Sequence, residues 1–246
     1  MDFQQETISI NGIDCRVLSA GSGTPLLFLH GAGTWHGFDF ALPWAEHHRV
    51  IVPIHPNWPG SGEDVSMTSI HDYVMHYLEL IDQLCLDQVD LVGLSMGGRM
   101  AAQFAAEHRR RVRKLVLVAP AGLDAPGHPL TDFSQIPPDQ ILGYLTEDPQ
   151  RILSHAKSAP DPREPASFGR VLPSVMDRKF TRWLHRLTMP SMLVWGEKDR
   201  TTPIQQAEEW MRYAPGLQLH RVPNAGHLLL DEGPQAVEAI GKFVNT

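Results

Sequence analysis

The chain has 246 residues, of which 42% are hydrophobic and 20% charged, and its formal net charge at pH 7 is −7. The acidic balance argues against a nucleic-acid partner, because phosphate binding depends on clustered lysine and arginine. No apolar stretch approaches the roughly 20 residues of a membrane helix, so the composition is that of a soluble globular protein without a membrane partner.

Strands and helices alternate along most of the chain. Asn11-Gly12 lies between two alternating runs, 7–10 and 15–19, and predicts an opening antiparallel hairpin. Continuous apolar runs, typical of strands buried on both faces, follow at 26–29, 49–54, 89–92, 115–118 and 192–195, and a last strand is predicted at 217–222. Helical patterns lie at 70–84, 96–108, 202–213 and 234–244. This alternation predicts an α/β domain with a mostly parallel sheet.

Two of the predicted helices carry start signals. Ser69 precedes the first of them and is expected to be its N-cap. Thr202, followed by Pro203, is expected to cap the helix predicted at 202–213 in the same way.

The alternation breaks after the strand at 115–118. Eleven of the 20 prolines fall between Pro120 and Pro190, among short helical patches at 138–145 and 150–157. A further patch at 180–187 leads back into the next strand. We interpret 123–177 as a helical lid inserted into a core domain formed by 1–122 and 178–246. Its apolar residues favour an ordered segment over a disordered insertion.

The pentapeptide Gly93-Leu94-Ser95-Met96-Gly97 lies where an apolar strand meets an alanine-rich helix. A serine at such a tight turn has its hydroxyl exposed above the sheet, and its strained backbone requires small residues two positions before and after it. The amide of Met96 opens the helix and can point at the group that Ser95 attacks. The pattern predicts a nucleophilic serine.

A serine nucleophile needs a base, and the base needs a group that orients it. Asp199 lies a few residues beyond the strand at 192–195, and His227 follows the last strand. Both are therefore expected at the carboxyl edge of the sheet, where α/β proteins place their sites.

The 13 histidines raise the question of a metal site, but they form no His-x-x-x-His or carboxylate-linked set, so we predict neither metal nor cofactor. The chain has two cysteines, Cys15 and Cys85, which is too few for a disulfide framework. Residues 1–10 lack the basic start and apolar run of a signal peptide. A cytoplasmic protein is expected.

Four landmarks occur in a characteristic order: His30-Gly31-Ala32-Gly33, Gly93-Leu94-Ser95-Met96-Gly97-Gly98, Gly196-Glu197-Lys198-Asp199 and Gly226-His227. With them the chain resembles the α/β-hydrolase-fold proteins that carry a helical lid, a group that includes esterases, lactonases, C–C bond hydrolases and serine haloperoxidases. The resemblance spans nearly the whole chain except the lid. It implies a mostly parallel, eight-stranded sheet flanked by helices.

The resemblance also implies roles. Ser95 is the expected nucleophile, His227 the general base and then acid, and Asp199 the carboxylate that orients the histidine. The amide of Met96 and one amide of the His30–Gly33 stretch would form the oxyanion hole.

For that second amide, Ala32 is the first choice and Gly33 the alternative. Trp35 is a candidate for the wall of the substrate pocket, although a packing role is equally compatible with the sequence.

One stretch departs from the family pattern. After the fourth strand, where these proteins usually show an aspartate, a glycine pair and a serine, Asn57 stands in place of the aspartate and Asp64 in place of the serine. The packing of this loop beside the oxyanion loop is therefore open.

We predict a serine hydrolase that cleaves an ester, lactone or similar acyl bond of a small molecule through an acyl-enzyme. The same three residues also suit a C–C bond hydrolase, a perhydrolase or a hydroxynitrile lyase. A protein of this fold that binds a small molecule without turnover is the alternative from another class.

Overall fold

One eight-stranded sheet organises the molecule, and the computed structural model describes all residues 1–246. The strands are β1 (Gln4–Ile10), β2 (Ile13–Ala20), β3 (Thr24–Leu29), β4 (His48–Pro53), β5 (Val89–Leu94), β6 (Val112–Val118), β7 (Ser191–Gly196) and β8 (Gln218–Val222). Their order in the sheet is β1-β2-β4-β3-β5-β6-β7-β8. β1 and β2 form the predicted antiparallel hairpin, β2 pairs antiparallel with β4, and all later pairs are parallel. The prediction of a mostly parallel, eight-stranded sheet is confirmed.

Helices flank this sheet. They are α1 (Ile70–Gln83), α2 (Met96–Glu107), α3 (Ile141–Leu145), α4 (Pro149–His155), α5 (Arg163–Val175), α6 (Gln206–Tyr213) and α7 (Pro234–Asn245). Short 3-10 helices cover Asp39–Glu46, Arg109–Arg111, Phe133–Gln135 and Arg178–Arg186. None of the helices has both the length and the apolar character needed to cross a bilayer.

The two predicted N-caps have different outcomes. Ser69 caps α1 in a reciprocal capping box with Asp72, as its sequence suggests. The prediction for Thr202 is wrong, because α6 begins only at Gln206. The Thr202 side chain bonds instead to Asp199, which lies outside any helix.

The strand order reverses at β3, which has β4 on one side and β5 on the other. In the register of the β3–β5 pair, Leu29 lies opposite Gly93, so β3 and β5 end at nearly the same level. Such a reversal leaves a crevice beyond the carboxyl ends of the strands, where α/β proteins bind ligands. We refer to this side of the sheet as the carboxyl edge and to the opposite side as the amino edge.

The inter-strand segment, residues 123–177, contains α3, α4 and α5. Helix α5 is absent from the sequence prediction because Pro165 and Pro173 interrupt its pattern. Pro165 lies in the first turn, where the backbone amide has no intrahelical acceptor, so it does not prevent a helix there. The patch predicted at 138–145 is helical only from Ile141, and the one at 150–157 corresponds to α4.

Candidate active site

Ser95 occupies the strained turn between β5 and α2. Its backbone has φ 56° and ψ −117°, a left-handed φ that costs free energy for a residue other than glycine. The flanking glycines are sterically required. A Cβ on Gly97 would lie 2.1 Å from the carbonyl oxygen of Leu29, and one on Gly93 would lie 2.3 Å from the carbonyl oxygen of Gly97. The pattern therefore reflects close packing of strand against helix at this turn.

Asp199 and His227 meet at the carboxyl edge. His227 Nδ1 lies 2.8 Å from Asp199 Oδ2, and both side chains are buried. Because a carboxylate only accepts, Nδ1 carries the proton and Nε2 is left as the basic nitrogen. This is the tautomer that a general base facing a serine needs.

The turn after Asp199 completes the shell of hydrogen bonds around its carboxylate. The amides of Thr201 and Thr202 each donate to Asp199 Oδ1 at 2.8 Å, and the Thr202 hydroxyl donates to Oδ2 at 2.8 Å. Thr202 Oγ1 also lies 3.1 Å from His227 Nδ1. Besides His227, the three hydrogen-bond donors to the carboxylate are thus uncharged, and they fix its plane toward the imidazole.

Thr202 is a site residue that the sequence interpretation missed. Its spacing of three from Asp199 is the pattern of a carboxylate that accepts from the turn following it, and that signal competed with the cap pattern Thr202-Pro203.

The segment that follows β6 contacts both Ser95 and Thr202. The amide of Ala121 donates to the carbonyl oxygen of Ser95 at 3.1 Å, and the hydroxyl of Thr202 lies 3.4 Å from the carbonyl oxygen of Ala119. The Ser95 hydroxyl itself makes no side-chain hydrogen bond, and Ser95 is 9% exposed. The structure therefore brings Asp199 and His227 into contact and leaves the serine hydroxyl without a partner.

The loop formed by residues 30–34, called the 30–34 loop below, follows β3 and packs on the nucleophile turn. An added Cβ on Gly31 would lie 3.4 Å from the Cβ of Ser95. The carbonyl oxygen of Ala32 accepts from Trp58 Nε1 at 2.8 Å. Trp58 is fully buried, so it packs in the loop structure and does not form a pocket wall.

Two stacked imidazoles lie beneath this loop. The rings of His30 and His55 are 3.5 Å apart, and the His55 amide donates to His30 Nε2 at 2.9 Å. His30 Nδ1 therefore carries the proton and donates to the carbonyl oxygen of Gly31 at 2.7 Å. His55 Nε2 donates to the carbonyl oxygen of His30, and the Tyr77 hydroxyl donates to His55 Nδ1. Burial lowers the pKa of His30 to about 3 and also lowers that of His55, so both rings are neutral and structural.

The ring of His30 has a consequence for the next amide. In a trans peptide the carbonyl and the N–H point in opposite directions. Because the Gly31 carbonyl is held by His30, the Ala32 amide points away from that ring. The amides of Ala32 and Gly33 donate to no acceptor, and Met96 opens α2, so its amide has no intrahelical acceptor.

Trp35 lies at the contact between this edge and the inter-strand segment. It forms a small apolar cluster with Ile152 of α4 and Leu228, the neighbour of His227. The amides of Lys157 and Ser158 donate to its carbonyl oxygen at 2.9 and 3.2 Å. Its indole is thus placed beside the histidine loop and under the inserted helices.

The loop that departs from the family pattern is closed by its asparagine. Asn57 has φ 72°, and its side chain accepts from the amide of Asp64 and donates to the carbonyl oxygen of Asp64, both at 2.9 Å. An amide can do both, whereas an ionised carboxylate could only accept. The change from aspartate to asparagine therefore retains a closed loop.

Arg99 of α2 is buried and serves the structure below the nucleophile turn. Its Nε donates to the carbonyl oxygen of Val175, its Nη1 donates to Gln103, and its guanidinium lies 3.4 Å from the centre of the Phe180 ring. Burial lowers its pKa to about 9. No group of three or more His, Cys, Asp or Glu side chains in the structure could hold a metal ion.

The profile of the alpha/beta hydrolase family matches residues 26–240, which is most of the chain. The chain belongs to the alpha/beta hydrolase family.

Relatives and solved structures agree with this membership. The chain is 25% identical over 248 residues to a 2-hydroxy-6-oxo-2,4-heptadienoate hydrolase of Pseudomonas putida, an alignment that covers 88% of this chain and 87% of the relative. Its fold is similar to that of a 2-hydroxy-6-oxo-6-phenylhexa-2,4-dienoate hydrolase of Rhodococcus, with TM-score 0.82, 18% identity and coverage of 100% and 99%. It is also similar to a thermophilic esterase of Thermogutta terrifontis, with TM-score 0.79, 23% identity and 98% coverage of each chain.

Proposed function

We propose that this hydrolase cleaves an ester, lactone or similar acyl bond of a small molecule, with Ser95 as nucleophile, His227 as base and Asp199 as orienting carboxylate. The observation that carries the proposal is the 2.8 Å contact between His227 Nδ1 and Asp199 Oδ2 at the same sheet edge as the strained Ser95. It leaves a basic imidazole nitrogen at the edge where a serine opens a helix.

In the proposed reaction the Ser95 oxygen bonds to the substrate carbonyl carbon while its proton passes to His227 Nε2. The carbonyl oxygen becomes an oxyanion, which the amides of Met96 and Ala32 stabilise, with Gly33 as the alternative to Ala32. The bond to the leaving group then breaks as His227 returns the proton to it. Water, deprotonated by His227, releases the acid from the acyl-enzyme.

We also propose that the inter-strand segment, 123–177, is a lid over this site. Three contacts support this. The Leu228 amide donates to the carbonyl oxygen of Leu145 at 2.8 Å, Arg151 Nε donates to that of Asp231 at 2.8 Å, and Trp35 packs on Ile152. The cluster around Trp35 would then form an apolar wall for the acyl or leaving group.

The two free cysteines are consistent with a cytoplasmic location, and the acidic charge with a small-molecule substrate instead of nucleic acid.

Several relatives are named as hydrolases of dienoates. Hydrolysis of a C–C bond in such a dienoate is therefore the second candidate reaction. A dienoate carries a carboxylate, and burying one without a cationic partner is costly. The buried arginine and lysine of this chain are Arg99 and Lys114. Arg99 is bound below the nucleophile turn, and Lys114 donates to carbonyl oxygens of the C-terminal helix. This distribution favours a neutral ester or lactone.

The test is covalent labelling with a fluorophosphonate probe alongside hydrolysis of p-nitrophenyl butyrate. In labelling, the Ser95 oxygen bonds to phosphorus, fluoride leaves and the proton passes to His227. We expect rapid labelling of the wild type, none of Ser95→Ala, and loss of turnover by more than about 10⁴-fold in Ser95→Ala and His227→Ala. Circular dichroism verifies that both variants are folded. Ester hydrolysis that survives Ser95→Ala would reject the assignment.

A paired substrate assay separates the two candidate reactions. The kcat/KM for the neutral ester is compared with that for a 2-hydroxy-6-oxo-dienoate. We expect the ester to be preferred, and a dienoate preference of tenfold or more would favour C–C bond cleavage.

A further inference from the structure

Helix α5 contacts two loops of the core, the 30–34 loop and the loop that contains Asn57. Glu164, in its first turn, accepts from the Thr34 amide at 2.7 Å and from the Thr34 hydroxyl, both through Oε1. One turn later the Ser167 hydroxyl donates to the carbonyl oxygen of Asn57 at 2.7 Å. The inserted segment thus bonds directly to the 30–34 loop through a side chain 130 residues away in sequence.

Three hydrogen bonds fix successive peptides of the 30–34 loop. His30 holds the carbonyl of Gly31, Trp58 holds that of Ala32, and Glu164 holds the amide of Thr34. The first two partners belong to the core. Glu164 alone is supplied by the inter-strand segment. Because peptide groups are planar, fixing the amide of Thr34 also fixes the plane that follows Gly33.

Burying the carboxylate of Glu164 costs free energy, because no cation is paired with it. Glu164 is 4% exposed, and its hydrogen bonds come from Thr34 and not from a lysine or arginine. Burial accordingly raises its pKa. A carboxylate without a cationic partner adds little to stability, so its contact with the loop needs another explanation. The second oxygen lies near Gly33, 3.8 Å from where a Cβ of that residue would be.

We propose that Glu164 is a positioning residue for the oxyanion hole: by holding the Thr34 amide it fixes the peptide plane that follows Gly33, and so anchors the end of the loop that carries the candidate amides of Ala32 and Gly33. This inference rests on the proposed function, because it assigns those amides to a developing oxyanion. When Glu164 is bound to Thr34, all three successive peptide planes of the loop are held by hydrogen bonds. Without it, the C-terminal half of the loop loses its anchor, and substrate binding is affected less than the transition state.

The test measures kcat and KM for p-nitrophenyl butyrate and the second-order rate of fluorophosphonate inactivation. We expect Glu164→Ala to lower kcat and the inactivation rate by about 10- to 100-fold, within the range for loss of an oxyanion donor, with KM changed less than about threefold. Glu164→Gln keeps an acceptor oxygen for Thr34 and should stay within about threefold of the wild type. Ser167→Ala is the matched control, since it removes the other contact of α5 and should also stay within about threefold.

Several results would overturn the inference. These are an unchanged kcat in Glu164→Ala, an effect confined to KM, an equal loss in Ser167→Ala, or a Glu164→Gln variant as impaired as Glu164→Ala. If Glu164→Ala does not fold, Glu164→Met keeps most of the side-chain volume but removes the acceptor for the Thr34 amide, and it should lower kcat by the same 10- to 100-fold, so an unchanged value contradicts the proposal. Wild-type protein without Ser95-dependent turnover would refute the proposed function itself, whereas normal wild-type turnover with unaffected variants refutes only the role of Glu164.

Discussion

Besides His36–Asp231, two buried histidine–aspartate pairs lie on opposite edges of the same sheet. At the carboxyl edge His227 Nδ1 is 2.8 Å from Asp199 Oδ2, and at the amino edge His48 Nε2 is 3.3 Å from Asp90 Oδ2. Both aspartate side chains have no exposed surface. A search for such pairs alone would give the two sites equal weight.

The two pairs differ in the other partners of their aspartates. Asp199 receives neutral donors from Thr201 and Thr202, which orient it without neutralising it. Asp90 is contacted by the guanidinium of Arg113, and its Oδ1 has no partner. Burial dominates at His48 and lowers its pKa in spite of the aspartate. A carboxylate paired with a cation holds strands together, whereas one held by neutral donors keeps its charge available for an imidazolium.

The surroundings also differ at the level of the fold. Beyond the carboxyl ends lie a strained serine, a helix N-terminus and a loop with unbonded amides. Nothing comparable follows the amino ends, where Lys114 donates to carbonyl oxygens at the end of α7. The comparison supports the proposed catalytic role for the pair at the carboxyl edge, because only there does the topology add a serine at a strained turn and free amide donors.

The strongest way to break this comparison is Asp199→Asn. The amide leaves His227 without its charged partner and favours the wrong imidazole tautomer, so kcat for p-nitrophenyl butyrate should fall by about 10⁴-fold. Steady-state kinetics at pH 7 measures it, with circular dichroism as the check on folding. A loss of less than tenfold would assign the orienting role to another carboxylate.

A smaller effect is expected for Thr202→Val. The variant loses the hydroxyl donor to Asp199 Oδ2 but keeps the amide donor to Oδ1. One net hydrogen bond corresponds to about a tenfold decrease in kcat. Thr202→Ser restores the hydroxyl and should recover most of the rate. Equal impairment of both variants would show that the methyl group, and not the hydrogen bond, is what matters.

At the amino edge, Asp90→Asn should leave kcat within about twofold. Its effect is on folding, because it removes the charge that faces His48 and Arg113 and should lower the free energy of unfolding by about 2 kcal/mol. Urea denaturation measures this value. If kcat fell as far as in Asp199→Asn, the distinction between the two edges would be wrong.

An effect on stability that is absent at neutral pH concerns His76, a buried histidine whose Nε2 has no hydrogen-bond partner. Burial lowers its pKa from 6.5 to about 4. As pH falls, the unfolded chain binds the proton first, so its contribution to stability is complete above pH 6.5 and is lost between about 6.5 and 4. In His76→Leu the free energy of unfolding should therefore fall less steeply as the pH decreases, by up to about 1.4 kcal/mol per pH unit. Urea titrations at pH 7.5, 6, 5 and 4.5 compare the slopes, and identical slopes would contradict the assigned cause.

Much of this could be predicted from the sequence because the relevant signals are local. Asn11-Gly12 specified the hairpin, Ser69 the start of α1, and the pentapeptide around Ser95 the turn between β5 and α2. Asp199 and His227 followed from their positions after buried strands, since parallel strands deliver their carboxyl ends to one edge.

Other features depend on contacts between distant residues. Thr202 was misassigned because a capping threonine and a carboxylate-binding threonine look alike until the start of α6 is known. Helix α5 was missed because prolines mask its pattern, and with it the contact from Glu164 to Thr34 across 130 residues.

By itself, the sequence determined the order of the strands and of the helices outside the inter-strand segment, the strained turn at Ser95 and the family, because each is encoded in short-range spacing and steric need. Only the tertiary structure decided which carboxylates are held by neutral donors and which by cations, and which segment anchors the 30–34 loop. Those depend on burial and on hydrogen bonds between residues far apart in the chain, where the free energy of a charged or polar group is set by its three-dimensional neighbours.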